Sequence, residues 1–477
     1  MEPGSAINRI SFPRGTKRTS GRRASRLIVA ALALACGNAL AQTAPMPAEQ
    51  PAKAAVPDVV EQVESEGPSS VEEGHVDMNE SFEPLTRREK SIKQRKTALK
   101  DTRADVQLRT YYFDRDRFDG SQNVAWALGG YAGFKTGWFR DRFAIGATAY
   151  TSQRLYGPED KDGTGLLQAG QQGYSVLGQA YAQFRFTDTV LFDVGRKQFT
   201  SPYINPNDSR MTPNSFELAM LQGAIGDAQQ GDRWRFGMGY VGSMKTRTSE
   251  IFVPMSEVAG APTDVDRGVT VGGVNFQRGK FSIGAVDYYS NDIINIFYAE
   301  AKYDIPLSNG HKLKFGGQYS SQESTGAELL TGSSFSTWQY GIKAEYAAGG
   351  ALFTTAWNAN GSGADLRSPW GGIPSYNSVQ IQDFNRAGED SLMLRAAYEF
   401  KSVKGLSMHG LWVNGSQPSD PSQSAQDEYN FNLRWTAREG AYQGLSVRLR
   451  YAVVTQDIGG PDMREFRLII NYDPPSL

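Results

Sequence analysis

From residue 104 onward the sequence reads as eighteen short runs of alternating apolar and polar residues, and the gaps between runs themselves alternate long and short. Gaps 153–172, 200–214, 248–268, 321–334, 359–389 and 416–428 are long, whereas "GWFR", "TD", "RG", "AGG" and "KSVKG" are short. The four-residue gap "SNDI" at 290–293 stands out as short where the rule asks for a long one. Antiparallel strands joined by tight turns at one end and elaborate loops at the other produce this asymmetry, which is the plan of a transmembrane β-barrel. A soluble sandwich gives no reason for it to persist over eighteen strands, and a propeller would show a repeating blade motif. The expected fold class is therefore an all-β, closed, antiparallel transmembrane barrel over residues 104–477.

Residue parity within the runs agrees. In "LSVRLRYAVV", Leu445, Val447, Leu449 and Tyr451 share one face while Arg448 and Arg450 take the other; "EFRLIINY" and "YNFNLRWTA" divide likewise. Successive side chains of a strand point to opposite faces, so one face meets lipid and the other water. Closure removes the unpaired edges that hydrocarbon forbids. Aromatics near run ends, among them Trp126, Trp138, Tyr150, Trp338 and Tyr472, are expected to form interfacial girdles. A barrel of this size has a lumen too wide for side chains alone to fill. Long loops folded inward are the available material for narrowing it.

The N-terminus reads as an export signal. Seven basic residues precede nine apolar residues at 27–35, and "ALA" at 39–41 supplies the small residues of a cleavage site. Nine apolar residues are too few for a spanning helix, which needs about 20. Beyond Ala41 no cysteine remains and basic residues number 43 against 50 acidic, a formal charge of −7. That balance gives no reason to expect nucleic acid as a partner. Residues 42–83 hold ten acidic residues and one lysine among many Pro, Ala and Ser, which predicts a disordered, solvated tail. The basic run 87–100 predicts an exposed linker, so 42–103 forms one segment outside the barrel.

Several separated stretches, in order, carry a family resemblance: "LRTYYFDRD", "GRKQFTSPYINPNDSRMTPNSFE", "DIINIFYAEAKYDIPL", "GGIPSYNSVQIQDFNRAGED", "GLSVRLRYAVV" and "EFRLIINY". The sequence resembles the OprD-like outer-membrane porins, the substrate-specific channels of pseudomonads and their relatives. The resemblance implies a barrel of eighteen strands in the outer membrane of a Gram-negative bacterium, in contact with outer-membrane lipid and lipopolysaccharide and inserted by the barrel-assembly machinery. It implies that the third and seventh external loops, here 200–214 and 359–389, fold inward as an eyelet. Constriction residues would then be sought among Arg196, Tyr203, Asp208, Ser209, Arg210, Tyr376, Asp383 and Arg386. It also implies a monomeric pore, with a loose homotrimer as the alternative assembly, and a column of basic side chains for carboxylates.

Parity locates such a column independently. With the last strand beside the first, Arg395, Arg434, Arg448, Arg450, Arg467 and Arg109 fall on one continuous wall, and only the strand carrying His409 contributes no arginine. Guanidinium groups stay charged and match carboxylates with a planar fork. The competing role is to brace the wall against acids such as Glu399 or Glu465. On the opposite side Asp287 and Glu300 are candidates for an acidic patch, which would favour amino acids over simple acids. The expected function is passive passage of small anionic solutes, aromatic or other organic acids first. An amino-acid or peptide porin, a structural or attachment barrel, and an outer-membrane hydrolase using His409 or His311 are the alternatives. No spacing of ligands suggests a metal or other cofactor.

Overall fold

The computed structural model of the chain describes residues 76–83, 98–226 and 231–474. The expected signal peptide, most of the acidic segment and the first part of the basic run lie outside the described residues. Eighteen strands run round a closed barrel. They are β1 (Arg103–Asp116), β2 (Gln122–Lys135), β3 (Phe143–Tyr156), β4 (Tyr174–Thr187), β5 (Val190–Lys197) and β6 (Ser215–Gly226). Next come β7 (Asp232–Lys245), β8 (Val269–Arg278), β9 (Phe281–Ser290), β10 (Ile294–Pro306), β11 (Lys312–Ser324) and β12 (Ser336–Ala348). The last six are β13 (Ala351–Asn360), β14 (Asp390–Glu399), β15 (Leu406–Ser416), β16 (Gln426–Thr436), β17 (Leu445–Gln456) and β18 (Met463–Tyr472). Each pairs antiparallel with the next, and β18 returns to β1 with Leu108 opposite Tyr472 and Arg109 opposite Asn471. A further two-residue strand, Val253–Pro254, pairs with Ser243 and Met244 inside the loop after β7. That loop also holds a short helix, α1 (Met255–Ala259).

The alternation expected from parity is expressed as two opposite surfaces. Leu108 is 55% exposed on the outside, whereas Arg467, on the next strand round, is 2% exposed on the inside. Leu128, Met238, Ile342 and Leu394 likewise point outward. Trp126, Trp338 and Tyr472 sit on the outer face, as an interfacial girdle requires. Tyr150 and Trp138 do not. Tyr150 points inward, where Gln179 and Gln198 donate hydrogen bonds to its hydroxyl. Trp138 is buried under the guanidinium of Arg185, 4.0 Å from its ring centroid. For both, a polar or cationic partner inside the protein outweighs placement at the lipid boundary.

The main apolar core lies inside the barrel, formed by loops that turn inward against β6–β11. Tyr203 and Ile204 from the loop after β5, and Trp370 and Ile373 from the loop after β13, pack against Tyr288, Ile296 and Tyr298. Burying a side chain of this size stabilises by about 1.5–3 kcal/mol, so these residues hold the two loops down. The expectation of a solvated tail fails at its last stretch. Residues 76–83 lie inside the barrel, with Met78 and Phe82 joined to this same core. The composition of that stretch is acidic, but its carboxylates meet lumenal cations and its two large apolar side chains meet a wall of glycines.

Candidate functional site: the constriction

Both inward loops reach the opposite wall. The loop after β5 ends on β1: Arg109 donates from Nη1 and Nη2 to the two carboxylate oxygens of Asp208, at 2.7 and 3.0 Å. Arg109 is itself aimed by a bond from Nε to Asn471 at 2.9 Å. The loop after β13 ends on β16 and β18. Backbone N–H groups of Ile381 and Gln382 donate to the Glu428 carboxylate at 2.9 and 2.7 Å. Gln380 donates to Glu465 and accepts from Arg467, each at 2.9 Å. The loops are also tied to each other. Gly372 donates to the Asn205 side chain at 3.0 Å, and a Cβ at the adjacent Gly371 would sit 2.7 Å from that side chain. Only glycine lets the two backbones approach so closely.

Where the loops meet the wall, cations converge on one aromatic ring. The guanidinium carbons of Arg115, Arg210 and Arg467 lie 5.2, 5.2 and 5.5 Å from the centroid of Phe113. This is within cation–π range. Glu465 bridges Arg115 and Arg467, its contact to Arg467 being 2.5 Å. A fourth cation, Arg247, donates to the Ser209 hydroxyl at 2.6 Å. Burial, with Arg467 nearby, pushes the Arg210 guanidinium down to about 9 and lowers Arg247 as well. Charges held with little water are the ones an incoming carboxylate stabilises most.

Over residues 97–475 the sequence matches the family described as outer membrane porin, OprD family. The chain belongs to the OprD family of outer-membrane porins. Its barrel is that of a substrate-selective channel in the outer membrane of a Gram-negative bacterium. It is 27% identical to Porin D of Pseudomonas aeruginosa over 421 residues, covering 78% of this chain and 91% of that protein. Among solved structures it is similar to Pseudomonas aeruginosa OpdK with vanillate (TM-score 0.69, 19% identity, 80% of this chain and 100% of that one). Acinetobacter baumannii OccAB2 is similar too, with TM-score 0.71, 17% identity, and coverage of 80% and 99%.

In this porin the six wall arginines share the inner face. Arg450 stands opposite Arg467 across β17–β18, and Arg434 opposite Arg448 across β16–β17. Arg448 donates to Asn432 at 3.2 Å. His409 fills the place on β15 that lacks an arginine, its Nδ1 lying 3.2 Å from Arg395 Nη2. A ring nitrogen set against a cation, rather than a nucleophilic hydroxyl, suits a wall better than a catalytic base. The other histidine weighed, His311, meets the Tyr346 hydroxyl at 2.7 Å in a turn.

The constriction candidates divide. Asp208, Ser209 and Arg210 stand at the contact between loop and wall, and Asp383 lies close to Arg247, accepting from Ser378 at 2.5 Å. Tyr376 reaches the far wall, donating to Glu300 at 2.9 Å. Tyr203 is an anchor: its ring is buried between Tyr288 and Tyr298, and its hydroxyl meets Ser320 at 2.7 Å. Arg386 braces the loop base, with Glu389 at 2.5 Å and the Ser424 carbonyl at 2.8 Å. Arg196 is misplaced by one residue of parity. It shares the outward face with Val194 and pairs with Glu217 at 2.8 Å, while the inward neighbour is Lys197, 2.8 Å from Asp193.

The acidic candidates divide in the same way. Glu300 faces inward, but both oxygens are engaged: by Tyr376, by Lys302 at 3.2 Å, and by the backbone N–H of Met78 at 3.0 Å. Asp287 faces outward with Ala285 and Tyr289, accepting from Asn295 at 3.0 Å, so it is absent from the lumen. Sequence reasoning passed over Phe113 and Arg115, although they share the face of Arg109 at steps of two. Arg247 lies in a loop, where no periodicity marks it.

Proposed function

We propose that the porin passes small carboxylate-bearing solutes, with aromatic or other organic acids as the leading class. The observation that carries this reading is the convergence of Arg115, Arg210 and Arg467 on Phe113 at the meeting point of both inward loops with the basic wall. A solute squeezed past the loops meets guanidinium groups there, and the arginines above and below let it be handed on without being trapped. The solved relative OpdK holds vanillate, itself an aromatic carboxylate. Amino acids are the second reading, and Glu300 supports it weakly because its oxygens already serve Tyr376, Lys302 and Met78. The pore proper is one chain, since closure leaves no strand edge for a neighbour to complete. Loose trimerisation and insertion by the barrel-assembly machinery belong to the same proposal.

Uptake by proteoliposomes tests it. Replacing Arg448 and Arg450 by glutamine should slow benzoate roughly tenfold, because a basic wall raises the local concentration of anions. An uncharged solute of equal size should change little. Equal slowing of both would mean that the arginines only shape the pore, and no slowing would remove them from the path.

A further inference from the structure

Inside the barrel, β7, β8 and β9 present glycines at neighbouring inward positions: Gly237, Gly273 and Gly284. A Cβ at Gly237 would lie 2.0 Å from the Phe82 ring, one at Gly273 2.7 Å from it, and one at Gly284 2.7 Å from the tip of Met78. The three absent side chains thus form a seat, and two residues spaced four apart fill it. That spacing shares one face because residues 77–82 form a turn. Asp77 caps it, accepting from the backbone N–H groups of Asn79 and Glu80 at 2.6 and 3.1 Å.

Charges ring the seat in complementary fashion. Lys302 pairs with Asp77, and Arg233 with Glu83 at 2.8 Å. Arg235, buried beside them, donates to the Asn79 carbonyl and to Asn275, the latter at 2.8 Å. The segment also touches the constriction on both sides. The Phe82 ring lies 6.1 Å from that of Phe199, tilted by 48°, at the root of the first inward loop, and Met78 shares Glu300 with Tyr376 of the second. The family match begins at residue 97, so the seat lies within it and the segment outside it.

We propose that the β7–β10 wall is a peptide-binding seat inside the lumen, and that its ligand is the chain's own Val76–Glu83, a tethered plug that narrows the water path at the constriction. The seat reads two apolar side chains four residues apart, flanked by carboxylates. This rests on the porin reading, since a plug needs a pore.

The test compares single-channel conductance of the exported chain with a variant lacking 76–83. The deletion removes no strand, and heat-modifiable migration on gels checks that the barrel has closed. Deletion should raise unitary conductance about twofold by widening the aqueous section. The free peptide Val-Asp-Met-Asn-Glu-Ser-Phe-Glu, added to the deleted channel, should then produce blocking events. The peptide with Phe82→Asp should not, nor should the native peptide on a deleted channel with Gly273→Leu. Unchanged conductance on deletion overturns the proposal, as does block by the altered peptide or block despite Gly273→Leu. Absence of conductance in every chain would instead overturn the porin reading itself.

Discussion

Along β14–β18 and β1 the inward positions carry long cationic side chains, whereas along β7–β9 three neighbouring inward positions carry no side chain at all. The first wall makes its own chemistry: Arg109 and Arg467 project into the lumen and are held in place by Asn471, Glu465 and the loop tips. The second wall is a mould. Its surface is completed by Phe82 and Met78 and by the inward loops, which supply Tyr203, Ile204 and Trp370. A side chain fixed to a strand cannot leave, but a segment laid on a smooth wall can be exchanged. The same barrel therefore has one wall suited to a permanent electrostatic path and another suited to being covered.

The strongest way to break this contrast is to remove the cover common to both walls. Deleting Leu366–Arg386 takes away Trp370, Tyr376 and the contacts of Gln380–Gln382, and should raise conductance about threefold and blunt selectivity by widening the section. Conductance that stays unchanged in a closed barrel would place this loop outside the water path. A sharper comparison changes one charge on each wall. Arg467→Gln should slow carboxylate uptake several-fold, roughly threefold to tenfold. Lys302→Gln should leave anion preference unchanged and raise conductance slightly, because it loosens Asp77. Equal loss of anion preference in both variants would erase the distinction between walls.

A smaller effect is expected at the tie between the first loop and the basic wall. Asp208→Asn removes the carboxylate that occupies Arg109, so that guanidinium becomes available to solute. The half-saturating concentration for a small carboxylate should fall about twofold to threefold, since an opposite charge has been withdrawn from competition. A rise instead would show that Asp208 positions Arg109 rather than occupying it. High salt should shrink the change, as screening acts over about 8–10 Å at ordinary ionic strength.

The strands were legible because alternation at a period of two is imposed by water on one side and lipid on the other. Expected and observed ends differ by a few residues: β3 runs on to Tyr156, past the gap expected to open at 153, and β5 stops at Lys197, short of the gap expected at 200. The wall arginines were legible for the same reason, each inheriting its facing from its strand. Legibility fails where facing is set by something other than the strand. Arg196 and Asp287 each miss by a single step of parity, which carries a side chain through the wall. Tyr150 and Trp138 are aromatic near strand ends, but buried hydrogen bonds and a cation hold them inward. Residues 76–83 are acidic like the tail that precedes them, and only the three-dimensional placement of Gly237, Gly273 and Gly284 reveals where Met78 and Phe82 belong.

The seam between β1 and β18 joins Arg109 to Asn471, groups 362 residues apart along the chain. Every intervening strand must be available before that seam can form, so closure comes late and cannot accompany synthesis. Until then the chain has strand edges exposed, and contacts of such long range make folding slow and expose it to aggregation. The exported sequence has no cysteine after residue 36, so no misplaced disulfide can fix a wrong arrangement during that interval. What delivers the chain to the membrane must therefore hold it open rather than help it fold early.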